Sequence, residues 1–458
     1  MSHTEHDDDS GLHRSLKNRH LQLIAIGGAI GTGLFMGSGK TISLAGPSLL
    51  FTYIIIGFFL FFTMRAMGEL LLSNLKYKSF VDFTHDILGP VPGFFVGWTY
   101  WFCWVVIGVA DIVAITGYTQ FWWPDVPLWL PGVLCIGFLL LFNLMSAKLF
   151  GELEFWFALI KIVAIVALIA IGAYLLTTGF VSPAGHVAQV SNLWIHGGIM
   201  PNGFSGFFAA FQIAIFAFVG IELVGTASAE TENPHVNLPK AINKIPVRII
   251  AFYLLALAVI MTVTPWTEIS PDRSPFVEMF VLIGIPIAAS LINFVVLSSA
   301  LSSANSGMFS TGRMLFGLSK AKSAPGVFGL LSSRGVPSNG LMYSCACLLV
   351  GVFLLYQDGN IMHVFTIVTT ISSICFIFVW GTIVWAYMKY RKTRPELHQA
   401  SQFKMPLGVP MCWLILAFFV FVLYLFSQEA DTLTGMIYTP IWFVLLGISY
   451  LFYRKNHQ

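Results

Sequence analysis

The chain has 458 residues, of which 57% are hydrophobic and only 10% are charged, and its formal net charge at pH 7 is +3. Soluble globular domains carry about 25% charged residues, so this composition excludes a water-soluble globule and predicts an all-α polytopic membrane protein. All six cysteines fall inside apolar segments, and no spacing of His, Cys and Asp resembles a metal site. We therefore predict no disulfide framework, no metal site and no cofactor.

Twelve segments are apolar enough and long enough to cross the roughly 30 Å of hydrocarbon in a bilayer. They are predicted at residues 20–40, 45–64, 94–121, 128–147, 154–177, 204–228, 246–266, 279–319, 340–356, 361–388, 409–427 and 437–453. The eighth is too long for one crossing, and we expect it to end in an amphipathic extension below the membrane around Arg313 to Lys320.

The basic residues of the connecting segments fix the direction of insertion. With a cytoplasmic N-terminus, every Lys and Arg lies on the cytoplasmic side except Lys40, Arg273 and Lys161, and the long external loop 178–203 has none. A missed helix would invert every later segment, so this bias supports the count of twelve. Both termini are predicted to be cytoplasmic.

The first and sixth segments are interrupted by glycine. The first contains Ile24-Ala-Ile-Gly-Gly-Ala-Ile-Gly-Thr-Gly-Leu-Phe35, and the sixth contains Phe216-Ala-Phe-Val-Gly-Ile-Glu-Leu223. An interrupted helix survives at membrane depth only beside a cavity, a ligand or an ion. Because the two segments are five crossings apart, they run in opposite directions, which predicts two five-helix units of inverted topology and a substrate site at the membrane midplane.

This pairing divides the chain into consecutive parts. They are a polar cytoplasmic tail (1–19), a first repeat of segments 1 to 5 (20–177), an external loop (178–203), a second repeat of segments 6 to 10 (204–388), a basic cytoplasmic loop (389–408), segments 11 and 12 (409–453) and a cytoplasmic C-terminus (454–458). Segments 11 and 12 lie outside the repeat and are an addition to it.

The two breaks suit the two charged groups of an amino acid. The stretch Gly31-Thr32-Gly33 frees backbone N–H groups that can bind a carboxylate, helped by the positive end of the half-helix that follows. The second break frees carbonyl oxygens around Phe216 and Val219, which can accept hydrogen bonds from an ammonium group. The alternative is that these glycines only let helices pack closely, and the symmetric placement of two breaks argues against it.

Two charged residues lie inside predicted segments near the cytoplasmic side. A transmembrane lysine costs about 2.5–3.5 kcal/mol to insert, so it usually faces a partner or a wet cavity and marks an ion or proton path. Lys161 is predicted about 7 residues from the cytoplasmic end of its segment, and Glu222 about 6 residues from the end of its own. We expect the two to face a shared cavity in which Lys161 gains and loses a proton; a static buried ion pair is the alternative.

Other polar and aromatic residues within the membrane are less informative. Asp111 is as costly to insert as Lys161, and its functional and structural interpretations are equally open. The serine-rich stretch 298–307 can line a cation site, but small hydroxyl residues more often pack helices together. The candidate pocket walls are the aromatic residues Tyr100, Trp104, Phe216 and Phe218, although most aromatic residues of this chain must face lipid or core.

Several motifs give the chain a family resemblance. They are the first break, Ala45-Gly-Pro47, Met67-Gly-Glu-Leu70, Gly220-Ile-Glu-Leu223 and Glu230-Thr-Glu-Asn-Pro234, joined by the stretches 97–104, 150–157 and 302–307. Over nearly its whole length the chain resembles bacterial amino acid permeases of the amino acid, polyamine and organocation superfamily. The resemblance implies a leucine-transporter-type fold with alternating access: a 5+5 inverted repeat with broken helices 1 and 6, followed by helices 11 and 12.

The same resemblance implies a substrate site. The residues that it places there are Ala29, Thr32, Gly33, Phe216 and Val219, and our predicted substrate-binding set also includes Gly31, Tyr100, Trp104 and Ala217. It assigns the substrate carboxylate to Thr32 and Gly33, and the substrate amine to the carbonyl groups of Ala29, Phe216 and Val219.

The resemblance also implies the coupling ion. Lys161 stands where sodium-coupled relatives bind sodium, which implies proton symport, and Glu222 matches a glutamate that relatives link to gating and coupling. The predicted function is a proton-coupled symporter, not an enzyme, that imports small neutral amino acids such as glycine, D-alanine and D-serine.

Location and partners follow from this prediction. We expect a multi-pass protein of a bacterial inner membrane, with a zwitterionic amino acid and the lipid bilayer as partners, and with neither nucleic acid nor an obligate protein partner. Another neutral amino acid as substrate remains open, as does an amino-acid-sensing receptor or a channel. A membrane enzyme is the weakest alternative, because the intramembrane groups form no nucleophile and base set.

Overall fold

The structure is a computed structural model that describes residues 30–145, 147–226, 231 and 233–455. This part of the chain is helical and contains no β-strand. Within it, ten helical stretches are long and apolar enough to span a membrane, and Trp129–Met145 is a shorter apolar helix. The prediction of an all-α polytopic membrane protein is therefore confirmed.

The α-helices of the described residues follow in chain order. They are α1 (Thr32–Phe35), α2 (Gly37–Ala45), α3 (Leu49–Ser73), α4 (Phe80–Leu88), α5 (Pro90–Gln120), α6 (Trp129–Met145), α7 (Ala147–Thr178), α8 (Gly203–Ala209), α9 (Phe211–Ala214), α10 (Leu223–Thr226), α11 (Pro234–Asn243), α12 (Ile245–Arg248), α13 (Leu255–Val263), α14 (Pro275–Leu282), α15 (Pro286–Lys320), α16 (Ser338–Cys347), α17 (Leu349–Asp358), α18 (Ile361–Thr393), α19 (Pro395–Ala400), α20 (Gly408–Phe426) and α21 (Ala430–Lys455). The first half of the first predicted segment, residues 20–29, lies outside the described residues.

Several helices extend beyond the apolar segments that predict them. α3 continues to Ser73 rather than 64, and α18 to Thr393 rather than 388, because helical hydrogen bonding continues past the point where hydropathy falls. α15 begins at Pro286 rather than 279, since Gly284 has a φ of +79° and proline has no N–H, so α14 forms a separate helix. The end of α15 at Lys320 agrees with the predicted extension.

α5 forms the centre of the bundle and α21 its edge. Of the residues in the most apolar part of each helix, 83% are buried in α5 but only 17% in α21. α5 packs against both α15 and α18. On α21, Ile437, Val444 and Leu451 recur every seven residues and are each at least 60% exposed, so they form one apolar stripe that faces lipid.

A buried carboxylate, that of Glu69 on α3, ties distant parts of the chain together. Its Oε2 accepts hydrogen bonds from Tyr387 Oη at 2.9 Å and from Met405 N at 2.8 Å, and its Oε1 lies 2.5 Å from His398 Nδ1. Glu69 is fully buried, and a buried carboxylate is tolerated only with such partners. The Glu69 cluster therefore fastens α3 to α18, to α19 and to the segment before α20.

Two ion pairs also join parts of the chain that are far apart in sequence. Lys40 Nζ on α2 lies 2.7 Å from Asp431 Oδ2 on α21. Arg394 Nη1 donates to Asp86 Oδ2 at 2.8 Å, and the Tyr77 hydroxyl donates to the same oxygen. These hydrogen bonds from Arg394 and Tyr77 favour the charged form of the carboxyl, so they lower the pKa of Asp86. Both pairs are partly exposed, and each contributes little stability by itself.

Replacing Glu69 by alanine removes the acceptor that Tyr387, Met405 and His398 share. Leaving buried donors without partners costs about 1–3 kcal/mol, so we expect Glu69→Ala to lower the apparent melting temperature of the purified protein in detergent. The matched control is Glu396→Ala, because Glu396 is exposed. Equal melting temperatures for the two variants would contradict a stabilising role for the Glu69 cluster.

Candidate functional site

The first helix break lies at the start of α1. Gly31 is extended, with φ −129° and ψ −164°, and its carbonyl accepts hydrogen bonds from Leu34 N and Phe35 N, both at 3.2 Å. Because Thr32 and Gly33 are the first residues of the helix, their N–H groups have no partner within it. The two donors stand at the positive end of a helix, which favours a bound anion.

The second break separates α9 from α10. It consists of a 3-10 turn over Ile215–Phe218 and an irregular stretch in which Gly220 has a φ of +97°, a conformation that favours glycine. Two side chains satisfy backbone groups that the break frees. Glu222 Oε2 accepts a hydrogen bond from Gly220 N at 3.2 Å, and Tyr253 Oη donates one to Ala217 O at 2.6 Å.

The two breaks are in direct contact at Gly33. A Cβ atom at this position would lie 2.7 Å from Ala217 Cα and 2.9 Å from Phe216 Cδ1, whereas carbon atoms in contact prefer about 3.5–4.0 Å. At Gly31, by contrast, the nearest atom to an added Cβ would be Ser303 Oγ at 3.8 Å. The close approach of the two breaks therefore depends on glycine at position 33 and not at position 31.

A small cavity lies where the breaks meet α5. Its lining residues are Gly31, Thr32, Gly33, Trp104, Ile107, Phe216, Ala217, Val219 and Ser303. The volume is about 20 Å³, above the roughly 10–15 Å³ that one water molecule requires. Trp104 Nε1 is buried and has no hydrogen-bond partner among the described residues. The cavity therefore offers backbone and indole N–H donors to a small ligand.

Seven of the nine substrate-binding residues predicted from the sequence line this cavity. Tyr100 does not line it, and Ala29 lies outside the described residues. The cavity also contains Ile107 and Ser303, which the sequence analysis does not single out. Ile107 lies three residues after Trp104 on the same face of α5, so helical periodicity is the signal that identifies it. Ser303 belongs to the serine-rich stretch for which helix packing is the preferred interpretation.

Lys161 belongs to a buried cluster of ionisable groups. Its side chain is 1% exposed and interacts electrostatically with Glu154 and Asp111. Asp111 Oδ1 accepts a hydrogen bond from Thr32 Oγ1 at 2.8 Å, and Glu154 Oε1 accepts one from Ser302 Oγ at 2.9 Å. α7 begins at Ala147, before the candidate membrane span that starts at Glu154, so Lys161 lies 7 residues into that span. Its interaction with Asp111, which is hydrogen-bonded to Thr32, brings Lys161 beside the first break.

Glu222 has different partners. The side chain is fully buried, and besides the Gly220 N–H it receives a long hydrogen bond of 3.4 Å from Tyr100 Oη. Neither Lys161 nor Glu222 lines the cavity: the lysine interacts with Asp111 beside the first break, and the glutamate is hydrogen-bonded within the second. The cavity that the sequence predicts Lys161 and Glu222 to share stays a prediction.

A helical membrane bundle in which two interrupted helices meet at a small buried cavity defines a class of protein, the secondary transporters with a midplane substrate site. Known proteins place the chain within this class. The sequence profile of the family described as Amino acid permease matches residues 20–458. The chain belongs to this family, so it is a multi-pass membrane transporter and not an enzyme.

Individual relatives are similar over nearly the whole chain. The D-serine/D-alanine/glycine transporter of Escherichia coli strain K12 is 61% identical over 448 residues, which cover 98% of this chain and 95% of that protein. Amino-acid permease AapA of Bacillus subtilis strain 168 is 56% identical, with 98% of this chain and 96% of that protein covered. The probable threonine/serine transporter YbxG of the same strain is 42% identical, with coverages of 96% and 94%.

The contact between the breaks gives a test with a matched pair of glycines. Gly33→Ala forces Ala217 and Phe216 away from the first break, and overpacking of this kind costs about 1–3 kcal/mol. We expect Gly33→Ala to lower the apparent melting temperature of the purified protein in detergent, because the packed contact between the two breaks is forced apart. Gly31→Ala is the control, because its Cβ meets only an ordinary contact. An equal decrease in both variants, or none in either, would contradict the close approach at Gly33.

Proposed function

We propose that this protein is a symporter that imports small zwitterionic amino acids together with a proton, with glycine, D-alanine and D-serine as substrates. The observation that carries this proposal is the cavity at which the two helix breaks meet. The choice of substrates is supported by 61% identity to a transporter whose name specifies these three amino acids. The proposal requires no cofactor other than the coupling proton, and its partners are the amino acid and the bilayer.

Each charged group of such a substrate has a counterpart in the wall of the cavity. The N–H groups of Thr32 and Gly33 bind the carboxylate, and the unpartnered indole N–H of Trp104 supplies a further donor. The carbonyl oxygens of Phe216 and Val219 accept hydrogen bonds from the ammonium group. The cavity holds little more than a water molecule, so binding of any amino acid requires its walls to move, and larger side chains require a larger movement.

Coupling to protons is assigned to Lys161, with Glu222 as the gating residue. A buried lysine with two carboxylates as electrostatic neighbours is stabilised in its protonated form, and release of the proton changes the charge beside the first break. Its neighbour Asp111 is bonded to Thr32 of the substrate site. Glu222 accepts a hydrogen bond from Gly220 N in the second break, so a rearrangement of that break changes the surroundings of the Glu222 carboxylate.

We also propose the finer architecture: twelve transmembrane helices, a 5+5 inverted repeat with helices 11 and 12 appended, and both termini in the cytoplasm of a bacterial cell. The helices of the described residues support this count. The longest candidate span, Gly37–Ser73, divides at Gly46 into α2 and α3. Counting these as two and including the shorter α6 gives twelve crossings. The domain boundaries are those that the sequence predicts.

The test is uptake of labelled glycine and D-alanine into proteoliposomes under an inward proton gradient, an inward sodium gradient or neither. We expect accumulation with the proton gradient only, and at least about a tenfold loss of it in Lys161→Met, because removal of one partner from a buried charged cluster costs about 3–5 kcal/mol. Lys76→Met is the control, since Lys76 is exposed in a loop.

Other outcomes identify what the protein does instead. Sodium-driven accumulation would contradict proton coupling. Equilibration without accumulation would indicate a channel, and binding without any flux would indicate a sensor. Proton-driven accumulation that survives in Lys161→Met would move the coupling role to another group, with Glu222 as the first to be replaced.

A further inference from the structure

Asp111 occupies a position that the substrate site and the proton site share. It follows Trp104 and Ile107 at intervals of seven and four residues, so the three lie on one face of α5, and the first two line the cavity. Its carboxyl group is fully buried, and Oδ1 accepts the 2.8 Å hydrogen bond from Thr32 Oγ1. The Ser303 hydroxyl, which lines the cavity, also interacts with this carboxyl group, and Oδ2 makes no close hydrogen bond with a described residue. A buried carboxylate therefore stands directly against the first break.

The ionisable groups that face Asp111 come from three helices. Lys161 on α7 is the cation, while Tyr118 on α5 itself and Cys135 on α6 interact with Asp111 without supplying positive charge. Glu154 is a second carboxylate acting on the same lysine, and its own hydrogen bond comes from Ser302. Lys161 faces two carboxylates, so it offsets the charge of Asp111 in part, and only when it holds its proton.

The charge of Asp111 affects substrate binding because the substrate carboxylate binds close to it. The substrate carboxylate, held at the N–H groups of Thr32 and Gly33, lies next to the residue that donates its hydroxyl hydrogen to Asp111. Like charges close together in a low-dielectric site repel strongly. When Lys161 is protonated, it partly offsets the negative charge of Asp111, and the substrate carboxylate is repelled less. When Lys161 has released its proton, the uncompensated Asp111 disfavours the substrate.

We propose that Asp111 is the positioning residue that makes substrate affinity depend on the proton at Lys161. This inference rests on the proposed function and adds a coupling element to it. Binding linkage is reciprocal, so a proton that strengthens substrate binding is itself held more tightly when the substrate is bound. The hydrogen bond from the Thr32 hydroxyl holds the Asp111 carboxylate in place beside the first break.

A double-mutant cycle measured as glycine binding to the purified protein tests this assignment. Lys161→Met leaves Asp111 uncompensated, and we expect affinity to fall by about tenfold, within the roughly 5- to 150-fold range of coupled sites. Adding Asp111→Asn, which keeps an acceptor for Thr32 but removes the charge, should restore affinity to within about twofold of the unmodified protein. Adding Asp125→Asn instead should restore nothing, because Asp125 is exposed.

A structural role for Asp111 would not produce this rescue. If the Lys161→Met, Asp111→Asn double variant binds glycine no better than Lys161→Met, or if Lys161→Met binds as tightly as the unmodified protein, the assignment is wrong. Proton-driven accumulation by the unmodified protein is measured alongside, and its absence with glycine still bound would overturn the proposed symport while leaving the binding cycle readable. If the unmodified protein binds no glycine, both proposals fail.

A measurement on the unmodified protein covers the case in which an Asp111 variant does not fold. Glycine is added to the protein in weakly buffered solution with a pH dye, over a series of pH values. At a pH where Lys161 is only partly protonated, the protein should take up protons from solution, because glycine binding favours protonated Lys161. No proton uptake at any pH in the series would contradict the assignment without the use of a variant.

Discussion

The structure depends on one constraint, that a backbone polar group inside a bilayer must find a partner. Each of the two helix breaks has groups without helical partners, and the chain supplies side chains for part of them. Ser299 Oγ donates to Ile30 O at 3.3 Å, Tyr253 Oη to Ala217 O, and Gly220 N donates to Glu222. These partners hold the breaks open in a fixed geometry, so the remaining groups can face a cavity and a ligand.

A second constraint is the balance of charge within the membrane. Asp111, Glu154 and Lys161 form one cluster beside the first break, and neither carboxylate is satisfied entirely by hydrogen bonds from described residues, because Asp111 Oδ2 and Glu154 Oε2 have no partner there. An arrangement with unpaired buried oxygens is unfavourable as a purely stabilising device. It is suited to a site whose charge changes during a transport cycle.

The sequence was most informative about features that depend on neighbouring residues in the chain. Apolar length predicts helices, and clustered glycine marks the breaks, because no other residue accommodates the close approach at Gly33 or the positive φ at Gly220. Helix ends were less predictable, because hydropathy indicates which residues lie in the hydrocarbon, whereas a helix can continue beyond it. α7, for example, begins at Ala147, before the apolar segment that predicts it.

Contacts between residues distant in sequence were beyond prediction. The partners of Glu69 come from residues more than 300 positions later, and the bond between Thr32 and Asp111 joins helices whose relative rotation no local pattern specifies. The place of Ser303 in the cavity wall could not be predicted for a related reason. Small hydroxyl residues serve packing and binding equally well, and only the placement of α15 against the first break distinguishes the two uses.

The central claim is that the substrate is bound between the two helix breaks, and an experimental structure of the protein with D-alanine bound tests it most directly. The account predicts ligand density in the cavity, with the carboxylate within hydrogen-bond distance of the N–H groups of Thr32 and Gly33 and the ammonium group facing the carbonyls of Phe216 and Val219. A ligand bound elsewhere, or one in this cavity with its charged groups reversed, would contradict it.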